Sequence, residues 1–166
     1  GTGAIDGEIQ AGFHKEVVDM FTPKKIVVAT DFSEYADKAL KSAVDIAERT
    51  NAEVYLVHVV DKIQQCVADY CIDEGTMRNI ENQSLSASRD KMQKKVQELS
   101  RSRKASISFD VKAGVPYEEI LKEQEEKDAD LIVIASHGKT GILKHMTGSV
   151  ADKVVHHARC PVLLVR

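Results

Sequence analysis

Short apolar runs alternate with amphipathic stretches along the 166 residues, and that alternation limits the fold more than any one motif does. Lys24 to Thr30, Glu53 to Val60, Ser106 to Lys112, Leu131 to Ile134 and Pro161 to Arg166 read as strands. Between them lie helical patterns. Asp31-Phe32-Ser33 precedes a helix with Ala36, Ala39, Leu40, Ala43, Ile46 and Ala47 on one face, small residues that permit close packing on a sheet. Ser84 to Arg103 places Leu85, Met92, Val96 and Leu99 inward. Gly114-Val115-Pro116 turns the chain into a helix reaching Lys127, with Glu118 and Glu119 in its first turn. Ser149 to Ala158 carries Val150, Val154, Val155 and Ala158 on one side. The order β-α-β-α-β-α-β-α-β predicts one α/β domain, a doubly wound five-stranded parallel sheet with helices on both faces. Residues 1–22 read as an N-terminal extension or tag remnant and 23–166 as the domain; His14 to Phe21 has room for one or two helical turns.

Composition narrows the partners. The net charge is −3 and no basic block occurs, which argues against nucleic acid. No apolar run has the length to span a bilayer and no secretory signal is visible, so a cytoplasmic protein without a membrane partner is expected. Three cysteines, an odd number without framework spacing, predict a reducing compartment and no structural disulfide. Asp61 to Gln83 is the least readable section and is longer than an ordinary connection. Its Cys66 and Cys71 lack the tight spacing of a zinc site, so no metal is assigned there; Cys160 reads as buried packing.

The most informative stretch is Leu131 to Val150, LIVIASHGKTGILKHMTGSV. An apolar strand ends in Ala135-Ser136-His137-Gly138, a loop carries Lys139, Thr140 and Gly141, and Gly148-Ser149 opens a helix. A strand end, a glycine turn and a helix N-terminus gather free N–H groups and a positive dipole end, which suits an anion such as phosphate. Gly138-Lys139-Thr140 mimics the tail of a P-loop, but Val133 stands where that motif needs its first glycine. The spacing that fits runs from Ala135 across two residues to Gly138, then nine to Gly148-Ser149. It resembles the Gly-x2-Gly-x9-Gly-Ser/Thr nucleotide loop of the universal stress protein family, with alanine in the first glycine slot. Ile26 to Leu40 (IVVATDFSEYADKAL), Glu53 to Val60 (EVYLVHVV), Gly114 to Ile120 (GVPYEEI) and Ala129 to Arg166 resemble the same family in the same order.

The resemblance implies the adenine nucleotide alpha hydrolase-like fold and ATP or a related adenine nucleotide as ligand, with Mg2+ allowed beside it. It implies that Asp31 meets the ribose hydroxyls, that the main chain of Val59 reads the adenine edge, and that Ala135, Gly138, Gly148, Ser149 and Val150 surround the phosphates. Ala29, Thr30, Gly114 and His137 are expected along the walls, while His58 reads as a packed histidine. It also implies a homodimer through the C-terminal strand. No nucleophile–base pair is evident, so a regulatory, stress-responsive nucleotide binder is favoured over a dedicated enzyme; slow ATP hydrolysis or autophosphorylation is the most the family implies. The alternative kept open is a nucleotide-free dimeric interaction module of the same fold. A phospho-acceptor signalling domain is disfavoured, because Asp31 stands without a second acidic residue after the first strand.

Overall fold

The computed structural model describes residues 22–62, 66–67, 70–139 and 147–166. The expected turns at His14 to Phe21, and Thr140 and Gly141, lie outside them. Strand β1 (Lys25–Ala29) is central, and the sheet runs β5-β2-β1-β6-β7 with every neighbouring pair parallel. Here β2 is Glu53–Asp61, β5 is Ser106–Gly114, β6 is Leu131–Ala135 and β7 is Val162–Val165. Ile26 to Ala29 and Ile132 to Ala135 are buried on both faces, which is why they read as unbroken apolar runs. The edge strand β5 alternates instead.

Alternation along each strand sends successive side chains to two layers. Ile26, Val28, Val54, Leu56 and Val133 pack against α1 (Glu34–Thr50) and α2 (Glu74–Ser102). Val27, Val57, Ile132 and Ile134 pack against α3 (Pro116–Lys127) and α4 (Ser149–His157). Fully burying each such side chain stabilises the fold by about 1.5–3 kcal/mol. The expected small-residue face of α1 is buried and also includes Val44. On α4, Val154 is buried whereas Val155, expected on the same side, is 43% exposed.

Two expectations are corrected in the unreadable stretch. Helix α2 starts at Glu74 rather than Ser84. Its first turns are polar and mostly exposed, so no apolar period announces them; Asp73 caps them by accepting from the Thr76 amide at 2.9 Å, and Arg78 pairs with Glu74 at 3.1 Å. Ahead of it, β3 (Cys66–Val67) and β4 (Tyr70–Cys71) form an antiparallel ladder with Cys66 opposite Cys71. Cys71 is disulfide-bonded, against the expectation of no disulfide, and an oxidised sulfur is no thiolate ligand for zinc. Directly opposed residues in such a ladder approach closely whatever the sequence spacing suggests. Cys160 is a free thiol, half-buried, and burial raises its pKa.

One buried charge cluster ties α3 to the sheet edge. Glu123 on α3 is 1% exposed, and Lys112 Nζ of β5 lies 2.8 Å from its Oε2 and 2.7 Å from Glu126 Oε2. Lys127 approaches Glu123 only to 4.0 Å. Removing Lys112 would strand a buried carboxylate. Lys112→Met is therefore expected to destabilise the protein by about 2–4 kcal/mol in urea unfolding, and adding Glu123→Leu should recover most of the loss.

Candidate functional site

Strand order reverses between β1 and β6, so the chain leaves those two neighbouring strand ends in different directions. Open parallel sheets bind ligands at such a point, outside the carboxyl ends of the strands. A cavity of about 570 Å³ opens there. Ala29, Thr30 and Asp31 reach it from the end of β1, and Val59 from β2. Ala135, His137 and Gly138 follow β6 into it, and Gly148, Ser149 and Val150 bring the start of α4. Every residue singled out in the sequence meets at this cavity except Gly114.

Gly114 ends β5 opposite Asp61 and does not line the cavity. A Cβ on it would come within 2.8 Å of the Glu119 side chain, so this glycine makes room for the first turn of α3. The sequence reading missed Asp61, Ser84, Ser88, Pro116, Ile120, Ile134 and Lys139 as lining residues, and missed that His58 also lines the cavity. For His58 a signal existed, since it stands beside Val59 near a strand's carboxyl end. Ser88 had one as well, since it stands three residues after Leu85 and four before Met92 on the inward face of its helix; Ser84, placed at the very start of that helix, had none.

The turn after β1 is built from its own side chains. Thr30 donates its N–H to the Val57 carbonyl at 2.9 Å, and its Oγ1 accepts from the Phe32 amide at 3.1 Å. Asp31 Oδ1 accepts from the Ser33 amide at 2.9 Å, while Ser33 Oγ caps α1 by accepting from Ala36 N at 3.2 Å. Ser33 thus does the capping and Asp31 is left to face the cavity. Phe32 adopts φ 63°, a left-handed conformation uncommon for a bulky residue, and its ring lies 4.4 Å from that of His58. His58 Nδ1 stands 2.7 Å from the Thr30 carbonyl oxygen, which can only accept. Nδ1 therefore carries the proton, and in the neutral ring Nε2 keeps a lone pair.

Across the cavity, the turn after β6 is tied down at both ends. Ser136 donates its N–H to the Val165 carbonyl at 2.8 Å, and its own carbonyl accepts from Gly148 N at 2.7 Å. Gly148 is the N-cap of α4, and no side chain among the described residues caps this helix. The first-turn amides of a helix have no intrahelical partner, and here they stand at the cavity with the positive dipole end. His137 Nδ1 lies 2.9 Å from Ser136 Oγ, and its buried Nε2 has no hydrogen-bond partner among the described residues. Asp31 Oδ2 reaches over to accept from the Lys139 amide at 2.9 Å.

Partial burial alone would raise the Asp31 carboxyl, but hydrogen bonds from Ser33 and from the Lys139 amide outweigh it and hold the group below its ordinary value. The carboxylate is charged at neutral pH. For His58, burial dominates and lowers the pKa, helped by Lys139 and Lys91 and opposed by the Thr30 carbonyl and Asp31. The imidazole is neutral at pH 7.

The universal stress protein family model matches residues 22–166. This chain belongs to the universal stress protein family. Universal stress protein MJ0531 of Methanocaldococcus jannaschii is 38% identical over 143 residues, covering 86% of this chain and 82% of that protein. The solved structure of MJ0577, from the same organism, superposes with a TM-score of 0.75 at 32% identity, covering 87% of this chain and 96% of that one. The universal stress protein of Archaeoglobus fulgidus, solved in complex with dAMP, shares the fold with a TM-score of 0.56 at 23% identity, covering 88% of this chain and 100% of that one. The sheet order and the helices on both faces are those of a universal stress protein domain.

His58 makes the stability of this universal stress protein sensitive to pH. Its folded pKa lies below its unfolded value, so the unfolded chain binds the proton more readily. Stability should be level above about pH 6.5 and fall as pH drops through that value toward the lower folded pKa. Urea unfolding at about pH 7.5 and 5.5 should show this loss in the wild type and a smaller one in His58→Asn.

Proposed function

We propose that this universal stress protein binds ATP or a closely related adenine nucleotide and acts as a regulatory component of a stress response. The observation that carries this reading is the uncapped N-terminus of α4 and the Gly138 turn on one side of a cavity, with the Asp31 carboxylate on the other. Amides and a positive dipole end suit phosphate oxygens, whereas a carboxylate repels them and accepts from hydroxyls. A ligand with phosphates at one end and a sugar diol next to them satisfies both. Val59, Pro116, Ile120 and Ile134 add an apolar surface for a flat base, and peptide groups of β2 at Val59 can read its edge. The Archaeoglobus fulgidus relative solved with dAMP supports adenine as that base.

Ala135, which stands in the family's first glycine slot, does not oppose the reading. It is the last residue of β6, and it is not among the residues with positive φ, so its methyl group imposes no backbone strain. No group of metal-ligating side chains occurs among the described residues, so Mg2+ would enter with the polyphosphate it neutralises. We also assign a homodimer through β7. That strand ends the sheet, and its Leu163 and Leu164 are 37% and 38% exposed, apolar surface at a sheet edge that a twofold-related copy would cover.

Calorimetry with ATP, AMP and cyclic AMP tests the ligand: saturable binding of ATP or AMP is expected, and no heat at millimolar nucleotide would overturn the reading. Ala135→Gly should leave ATP affinity within about twofold while costing about 0.5–1 kcal/mol of stability, because it frees the backbone of a strand end without relieving strain. Light scattering at micromolar concentration should give a dimer, and Leu164→Arg should shift it to monomer.

A further inference from the structure

Asp31 has more to do than meet a sugar. Its two oxygens are already engaged in different parts of the chain: Oδ1 with the Ser33 amide beside it, and Oδ2 with the Lys139 amide, 108 residues away. The second bond joins the end of β1 to the turn after β6, across the strand-order reversal where no local connection exists. The neighbouring glycine is shaped by the same contact. A Cβ on Gly138 would lie 2.9 Å from Asp31 Oδ2, and Gly138 does not have the positive φ that would otherwise explain a glycine. The space Gly138 leaves is therefore space for the carboxylate.

We propose that Asp31 is a positioning residue for the anion-binding turn: its carboxylate, seated against Gly138 and bonded to the Lys139 amide, holds that turn where it meets the phosphates. This rests on the nucleotide reading above and adds a second role to it. Each carboxylate oxygen accepts more than one hydrogen bond, so the staple and a ribose contact coexist. Sugar recognition and phosphate-turn geometry then share one side chain, and losing it lowers the fraction of molecules with the turn in place.

The two roles separate with ligands that lack the sugar diol. In calorimetry or ligand-detected NMR, Asp31→Ala should weaken 2′,3′-dideoxy-ATP by about fivefold or more and leave 2′,3′-dideoxyadenosine unchanged. Removing a negative charge beside the phosphates favours the anion on Coulomb grounds, so weakening means lost positioning. If both dideoxy ligands bind Asp31→Ala as they bind the wild type while ATP weakens, Asp31 is only a hydroxyl acceptor and the proposal is wrong. Equal weakening of both would show general damage and also overturn it. A wild type that binds neither ATP nor dideoxy-ATP removes the nucleotide reading and this inference together. Gly138→Ala supplies the second arm: it should weaken dideoxy-ATP in the wild type and have little further effect beside Asp31→Ala, whereas an equal effect in both backgrounds contradicts the staple. Asp31→Asn, which keeps an acceptor for one of the two amides, serves if the alanine variant does not fold, and should give an intermediate loss for dideoxy-ATP; wild-type affinity for it would overturn the proposal.

Discussion

The structure depends on one topological fact: β1 and β6 lie side by side in the sheet although about a hundred residues separate them. From β1 the chain winds outward through β2 to β5, then returns to the other side of β1 for β6 and β7. Right-handed crossovers put α1 and α2 on one face and α3 and α4 on the other, so neither layer closes over the carboxyl ends of the two central strands. The cavity is a consequence of that winding. Its chemistry comes from what the two strand ends carry, a self-bonded acidic turn after β1 and an amide-rich turn after β6.

Much of this was legible in the sequence, for physical reasons that differ by element. Ile26 to Ala29 and Leu131 to Ile134 announced central strands because parallel strands are buried on both faces and tolerate no polar interruption. The residues Asp31, Gly138, Gly148 and Ser149 were legible because a strand end or a helix start places them on one rim, whatever the details of packing. What stayed hidden was set by tertiary contact. Glu74 to Gln83 is helical through a cap and an exposed ion pair, and so lacks the apolar period that betrays a helix. Gly114 read as part of a ligand-binding motif, whereas its neighbour Glu119 accounts for the missing side chain. Gly138 shows the same limit within the cavity, since the group that requires it there is a carboxylate from a distant turn. Cys71 shows it too: an odd cysteine count spoke against a disulfide that the antiparallel ladder makes geometrically accessible.

The electrostatic character of the cavity follows from which hydrogen-bond partners its half-buried groups have. Asp31 remains an anion because backbone amides reward its charge more than burial penalises it, and His58 remains neutral because burial outweighs its one supporting carbonyl. Opposite outcomes arise from the same partial burial. Around the end of β1 the available groups are acceptors, and at the start of α4 they are donors. A ligand suited to both ends would present its donors at one and its negative charge at the other.

Phe32 follows Asp31 with a left-handed backbone and its ring against His58. Glycine there would relax the torsion but remove the aromatic face that keeps the imidazole in place. Glycine at this position therefore trades side-chain order for backbone comfort. Backbone relaxation and order of a cavity-lining histidine pull apart at this one residue, so a variant made hardier by glycine there would carry a looser His58 in its cleft.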